Sequence, residues 1–363
     1  MGQIFSYLYS LLALKLPAAS SSNTRKEIDG SSLIQPSMNG DLKRIKELIG
    51  TYTGQHGNDD DDDDYRNFVN ATDVDGNAAV HAATFAGHLD VLKFLVETCH
   101  ASSTPKNKLG CSPLWLAAGY GHEELLKYIL LLERKNSNTE ISYWNNSTGD
   151  SPLLAAASRG HATICEILLT HFTNNTNNNQ ADEHSNLLYV CNAKGDSPLS
   201  VSIATGHEKV VDVLLKWEDD TNNNKSTNNV NRVNKLGLTP LIIACERNHA
   251  TIAVKLIEHG ALPLSDKNGE SPLAVASFCG CEDVVVELLK LDFGKNLLNT
   301  ANTKTGNTPL WLAARTGNEK MVRILMSHGA DDSIPNKENL TPYQAAVQFK
   351  KQKVIDFFNS KTT

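Results

Sequence analysis

The chain has 363 residues, 40% of them hydrophobic, a formal net charge of −7 and seven cysteines. That length suits two ordinary domains or one repeat stack, and the acidic balance argues against broad nucleic-acid binding. An odd, scattered cysteine set (Cys99, Cys111, Cys165, Cys191, Cys245, Cys279, Cys281) fits reduced, packed thiols of a cytosolic protein rather than a disulfide framework.

The first element in chain order is residues 1–16. Met1-Gly2-Gln3-Ile4-Phe5-Ser6 fits the pattern for N-myristoylation of Gly2 after methionine removal. On a helical wheel Ile4, Phe5, Leu8, Leu11, Leu12, Leu14 and Leu16 share one broad arc, with Gln3, Ser6 and Ser10 opposite. Pro17 stops the helix and a Ser-rich linker fills 17–32. A glycine-led, acylatable helix resembles the amino terminus of ADP-ribosylation-factor small GTPases. The likeness covers the helix alone, because the chain lacks the phosphate-binding G-x-x-x-x-G-K-[ST] loop. Three readings compete. A secretory signal would begin with positive charge, which Met1-Gly2-Gln3 lacks, although Ala18-Ala19-Ser20 suits a cleavage site. A transmembrane helix is excluded, because about 13 apolar residues fall short of the roughly 20 that a bilayer core requires. A helix packed on the first repeat competes with the expected reading, a peripheral anchor on a cytoplasmic membrane face. One acyl chain binds marginally, and the apolar arc at Ile4, Phe5, Leu8, Leu11 and Leu12 would be the second signal.

Residues 33–72 follow. Gly40 and the apolar spacing of Leu42, Ile45, Leu48 and Ile49 predict an amino-terminal capping half-repeat. The six adjacent like charges of Asp59–Asp64 repel one another and predict a solvated loop. They lack the glycine and spacing of a calcium loop.

From Asp73 to Phe358 one phrase recurs. It reads Ser112-Pro113-Leu114, Ser151-Pro152-Leu153, Ser197-Pro198-Leu199, Thr239-Pro240-Leu241, Ser271-Pro272-Leu273, Thr308-Pro309-Leu310 and Thr341-Pro342-Tyr343, after a degenerate copy at Ala78-Ala79-Val80-His81. The preceding glycines, Gly76, Gly110, Gly149, Gly195, Gly237, Gly269 and Gly306, are 34, 39, 46, 42, 32 and 37 apart. Each hydroxyl is an N-cap and each proline sits where its missing N–H costs nothing. A second helix follows every copy, at 89–96, 123–131, 162–169, 208–216, 250–258, 282–289, 319–327 and 351–358. Gly87-His88, Gly121-His122, Gly160-His161, Gly206-His207 and Asn248-His249 recur between the two helices. One pair cannot bury its apolar face, so pairs must stack. Asn-rich stretches at 174–180 and 222–229 account for the two longest spacings and are expected to be disordered insertions. The polar Lys350, Lys351, Gln352, Lys353 and Asp356 predict a carboxy-terminal cap, with 359–363 as a tail.

The pattern resembles the ankyrin repeat, a turn plus two helices with a period of about 33 residues. The resemblance implies an all-α repeat solenoid of about eight stacked units with β-hairpin loops and capping half-repeats. Trp115 and Trp311 stand where the family usually has histidine.

The recurrent histidines are predicted to bond the adjacent hairpin rather than to catalyse. No nucleophile set, cofactor loop or metal-ligand spacing emerges. The family binds proteins with hairpin tips and the concave face of its first helices. Phe85, Tyr120, Arg159, Arg247, Phe278 and Arg315, near the ends of those helices, are therefore the predicted partner-binding residues. Asn77, Asp150, Asp196, Leu238, Glu270 and Asn307 are the predicted tips. The expected protein is a monomeric, non-enzymatic adaptor that holds a protein partner, binds no nucleic acid and is tethered to a cytoplasmic membrane face through Gly2. The alternative is a soluble regulator of a partner enzyme.

Overall fold

The Ser/Thr-Pro-Leu phrase starts a helix at every copy. Ser112, Ser151, Ser197, Thr239, Ser271, Thr308 and Thr341 accept from the N–H three residues on at 3.1–3.3 Å. Each such cap is worth about 1 kcal/mol. The computed structural model describes residues 29–56, 63–135, 145–173, 187–221 and 229–361. The predicted anchor helix and most of the linker, Asp59–Asp62, the 174–180 insertion and 222–228 lie outside the described residues.

A 3₁₀ turn (Gly30–Leu33) leads into α1 (Ile34–Asn39), α2 (Leu42–His56) and α3 (Asp63–Val69). Eight helix pairs follow among the described residues. They are α4 (Ala79–Ala86) with α5 (Leu89–Lys93, continued by a wider turn over Phe94–Thr98) and α6 (Pro113–Tyr120) with α7 (Glu123–Lys135). Next come α8 (Pro152–Arg159) with α9 (Ala162–Thr173) and α10 (Pro198–Thr205) with α11 (Glu208–Thr221). Then α12 (Pro240–Arg247) pairs with α13 (Ala250–Glu258) and α14 (Pro272–Cys279) with α15 (Glu282–Lys290), followed by the short α16 (Asp292–Leu297). Last are α17 (Pro309–Thr316) with α18 (Glu319–Ser327) and α19 (Pro342–Gln348) with α20 (Gln352–Lys361).

Several boundaries differ from the sequence reading. The amino-terminal cap is fuller than a half-repeat: it holds both helices of a pair and adds α3. Gly30, read as linker, is buried, and a Cβ there would meet the Phe68 carbonyl oxygen at 1.9 Å. Asp63 and Asp64 open α3, where carboxylates favour the unpaired amides of a first turn. Helices α7, α9 and α11 run past their predicted ends. Gly260 and Gly329 stop α13 and α18 in the left-handed conformation, whereas Glu133, Phe172 and Glu218 take the corresponding places and the helix continues. Asn229, read as insertion, is 2% exposed and donates its N–H to Glu218 Oε1 at 2.6 Å. Residues 359–361 continue α20.

One hydrophobic core runs the length of the stack, from Leu33 to Phe358. Alanines fill the first-helix side of most interfaces (Ala83, Ala118, Ala157, Ala244, Ala314), with Ser202 and Ile203 there in α10, and larger aliphatics fill the second-helix side (Leu126, Leu168, Val211, Leu256, Val285). First helices therefore pack more closely on their neighbours than second helices do. Layers wedged in this way curve the stack, with first helices lining the inner face.

The recurrent Gly-His dipeptide locks successive layers. Gly121 has φ 79°, and a Cβ on it would lie 2.7 Å from the His161 ring of the next layer. His88, His122, His161 and His207 place Nε2 2.9–3.1 Å from the carbonyls of Met38, Phe85, Gly119 and Ser158. A carbonyl only accepts, so each Nε2 carries the proton. The acceptor is thus the last turn of the preceding first helix, not the adjacent hairpin. Burial holds His161 and His249 below the ordinary imidazole range.

Fingers join the pairs. In most of them an Asn or Asp three residues before the glycine folds the turn with its own side chain: Asn107 Oδ1 accepts from the N–H groups of Leu109 and Cys111, and Asp266 Oδ1 from those of Asn268 and Glu270. Neighbouring fingers are tied by backbone bonds such as Lys235 N–H to the Lys194 carbonyl at 3.1 Å.

Candidate partner-binding surface

The inner face carries two clusters that join aromatic rings to an arginine. The first spans three layers. Phe85 and Tyr120, near the ends of α4 and α6, pack edge to face with centroids 4.5 Å apart. Arg159, ending α8, places its guanidinium carbon 4.2 Å from the Tyr120 ring centre and 5.7 Å from that of Trp115. Its Nη1 donates to the Gly119 carbonyl at 2.8 Å. Trp115 is buried beneath, donating Nε1 to the Asp150 carbonyl at 3.0 Å. The guanidinium is therefore fixed over a rigid aromatic bed, with donors left for a ligand.

The second cluster lies toward the other end. Arg315 places its guanidinium carbon 5.9 Å from the Trp311 ring centre and 5.1 Å from that of Phe349, which is 40% exposed. Trp311 donates Nε1 to the Leu340 carbonyl at 3.1 Å. Both tryptophans thus do what His81 does in the first repeat, where Nε2 lies 3.2 Å from the Cys111 carbonyl: they reach the finger of the next layer. That explains why tryptophan can replace the usual histidine. Phe349 was not among the predicted residues. Its signal was a bulky aromatic at the end of a first helix, where Thr316 stands one repeat earlier.

The structure brings Phe85, Tyr120 and Arg159 together and gives Arg315 a separate setting. It joins Arg247 and Phe278 to neither cluster. Phe278 is 49% exposed, and Arg247 Nε is shielded with no acceptor. The predicted tips are displaced. In most fingers the tip residue named from the sequence lies past the turn and lends its carbonyl to the outgoing arm, as Asp150 does for Asn146 N–H at 3.1 Å and Glu270 for Asp266 N–H at 3.0 Å. The exposed apices precede them, at Val74, Lys108, Lys194, Lys235, Lys267, Lys304 and Lys337.

Nucleophile chemistry has little purchase among the described thiols that are buried. Burial pushes the Cys111 and Cys165 thiols up to about 12. No described helix is long and apolar enough to cross a membrane.

A stack of helix pairs with projecting fingers and an aromatic inner wall is a repeat scaffold, which recognises by shape along its length. The chain belongs to the ankyrin-repeat family, whose repeats match residues 33–143, 130–227, 223–299 and 290–361. It is 31% identical over 119 residues to a transient receptor potential cation channel subfamily A member 1 homologue of Caenorhabditis elegans, covering 32% of this chain and 10% of that protein. It is 29% identical over 133 residues to the tyrosine-protein kinase HTK16 of Hydra vulgaris, covering 36% and 17%. It is 36% identical over 111 residues to alpha-latrocrustotoxin-Lt1a of Latrodectus tredecimguttatus, covering 30% and 7%. The chain therefore spans under a fifth of each of these relatives. A channel, a kinase and a toxin by name share a repeat segment with it, which supports an interaction module and carries no single activity across.

Proposed function

We propose that this chain is a non-enzymatic scaffold that holds a protein partner along its concave face. The observation that supports this most is the pair of aromatic–arginine clusters, Phe85–Tyr120–Arg159 and Trp311–Arg315–Phe349. Aromatics and arginine are the residue types that dominate binding energy. Here they are held in fixed positions, so little ordering entropy is spent on binding. Affinity capture with the full chain tests it. The Tyr120→Ala/Arg159→Ala and Arg315→Ala/Phe349→Ala variants should lose a partner retained by wild type while melting normally. Equal recovery by all three would sink the concave-face reading.

We infer in addition that residues 1–16 tether the scaffold to a cytoplasmic membrane face. The support is the Gly2 acylation pattern and the apolar arc of Ile4, Phe5, Leu8, Leu11 and Leu12. A buried acyl chain contributes about 0.8 kcal/mol per CH₂. Gly2→Ala should abolish labelling by a myristate analogue and move protein from the membrane to the soluble fraction. A wild-type chain that takes up no label and stays soluble supports the alternative, a soluble regulator with this helix packed on the stack.

A further inference from the structure

The finger apices of the later repeats carry a second pattern. Lys235, Lys267, Lys304 and Lys337 stand two residues before the turn glycine, or Asn339, in four consecutive layers; Lys194 stands one residue before it in the layer preceding, and all five are exposed. Their amines are not splayed at random. Lys235 Nζ donates to the Ala193 carbonyl at 2.7 Å, Lys267 to the Lys235 carbonyl, Lys304 to the Lys267 carbonyl and Lys337 to the Thr303 carbonyl. Each of these four lysines leans back onto the finger before it, so the charges run in single file along the stack. The bond to a carbonyl uses one of three ammonium donors and leaves two.

Acidic side chains on the same fingers are mostly turned inward. Asp266 Oδ1 accepts two N–H groups of its own turn. Asp196 Oδ1 accepts from Asn234 Nδ2 at 2.9 Å. Glu270 is half-buried, with Oε2 shielded. Glu338 and, at the base of the last finger, Asp331 are exposed exceptions. On a chain of net charge −7 the file is therefore a local excess of outward positive charge. Apolar steps lie beside it: Leu236 is 70% exposed, and Val233, Leu262 and Leu264 are also exposed.

We propose that this lysine file is a docking rail for an extended acidic peptide segment of a partner protein, one that carries apolar side chains among its carboxylates. The inference rests on the partner-binding reading above and names the chemistry of the partner. Layers about 10 Å apart put the five lysines along about 40 Å. An extended segment in the polyproline-II form, three residues per turn and about 3.1 Å per residue, covers that with about 13 residues and turns one residue in three toward an amine. The geometry favours a peptide over an anionic membrane, because amines aimed along the stack make a line rather than a sheet of charge. It favours a peptide over a polynucleotide, because the neighbouring side chains are aliphatic rather than stacking rings.

The test uses the full chain and a fluorescently labelled random copolymer of glutamate and tyrosine, read by anisotropy. Binding should weaken steeply between about 50 and about 500 mM salt, as charges screen. The Lys235→Gln/Lys267→Gln/Lys304→Gln/Lys337→Gln variant should bind about tenfold more weakly or worse, four exposed pairs being lost. A control that removes the same charge from second helices, Lys43→Gln/Lys209→Gln/Lys216→Gln/Lys353→Gln, should bind like wild type. Melting curves identify a rail variant that fails to fold, and the salt dependence of wild type then decides. No binding at low salt, or equal loss in the control, overturns the rail. So does stronger rail-dependent binding to phosphatidylserine vesicles or to single-stranded polynucleotide, which would reassign it to lipid or nucleic acid. Loss of partner capture in the cluster variants with an intact copolymer response would separate the concave-face reading from this one.

Discussion

Glu218 shows how one buried side chain makes the fold sensitive to pH. It is 6% exposed. Burial pushes its carboxyl up to about 7, aided by nearby Asp219 and opposed by the Asn229 N–H and by His259. Between the ordinary carboxyl range and pH 7 the folded chain holds a proton that the unfolded chain releases. Its contribution to stability is therefore complete at acid pH and is lost as pH rises through 7. Glu218→Gln keeps an acceptor for the Asn229 N–H and removes the charge. It should raise Tm at pH 8 by about 2 °C or more and change little at pH 5; equal shifts at both would refute the buried charge. Thiols give a second residue-scale test. Cys165 and Cys245 are buried and Cys279 is exposed. Cys279 should react first with a thiol reagent on the native protein, as peptide mapping would show.

At the scale of elements, the helices were legible because their start signals are local. A hydroxyl, a proline and a leucine in sequence specify an N-cap, a first turn and a buried face. The histidine partners, the aromatic–arginine clusters and the lysine file were not legible, because their other halves lie a layer away. Arg159 meets Trp115 across 44 positions, and Lys337 meets Thr303 across 34. Only stacking brings such residues together. The lysine recurrence itself stood in the sequence, but the predicted apices were placed after the glycine rather than before it. Two substitutions probe the layer locks. Gly121→Ala should cost more than about 1 kcal/mol, since φ 79° disfavours a Cβ and the His161 ring fills its space. Trp311→Phe should cost about 1 kcal/mol beyond its lost packing, by removing the Nε1 hydrogen bond to the Leu340 carbonyl, which then keeps only the Asn336 N–H. Denaturant titration measures both.

Across the whole molecule each layer is stabilised mainly by its neighbours. Leu241 is fully buried between layers. Leu241→Asp should destabilise by more than about 4 kcal/mol and should broaden or split the melting transition, because the stack is interrupted near its middle. A single sharp melt at the wild-type temperature would refute the layered core. The closer approach of the first helices has a consequence for recognition. On the proposed concave-face reading, the clusters around Arg159 and Arg315 would act as the two jaws of a calliper, with their opening set by the packing of the layers between them. Ala244 sits at one such wedge, far along the chain from either jaw. A larger residue there would alter the span of the jaws without touching them, so on the proposed concave-face reading the buried alanines would gauge the length of partner held.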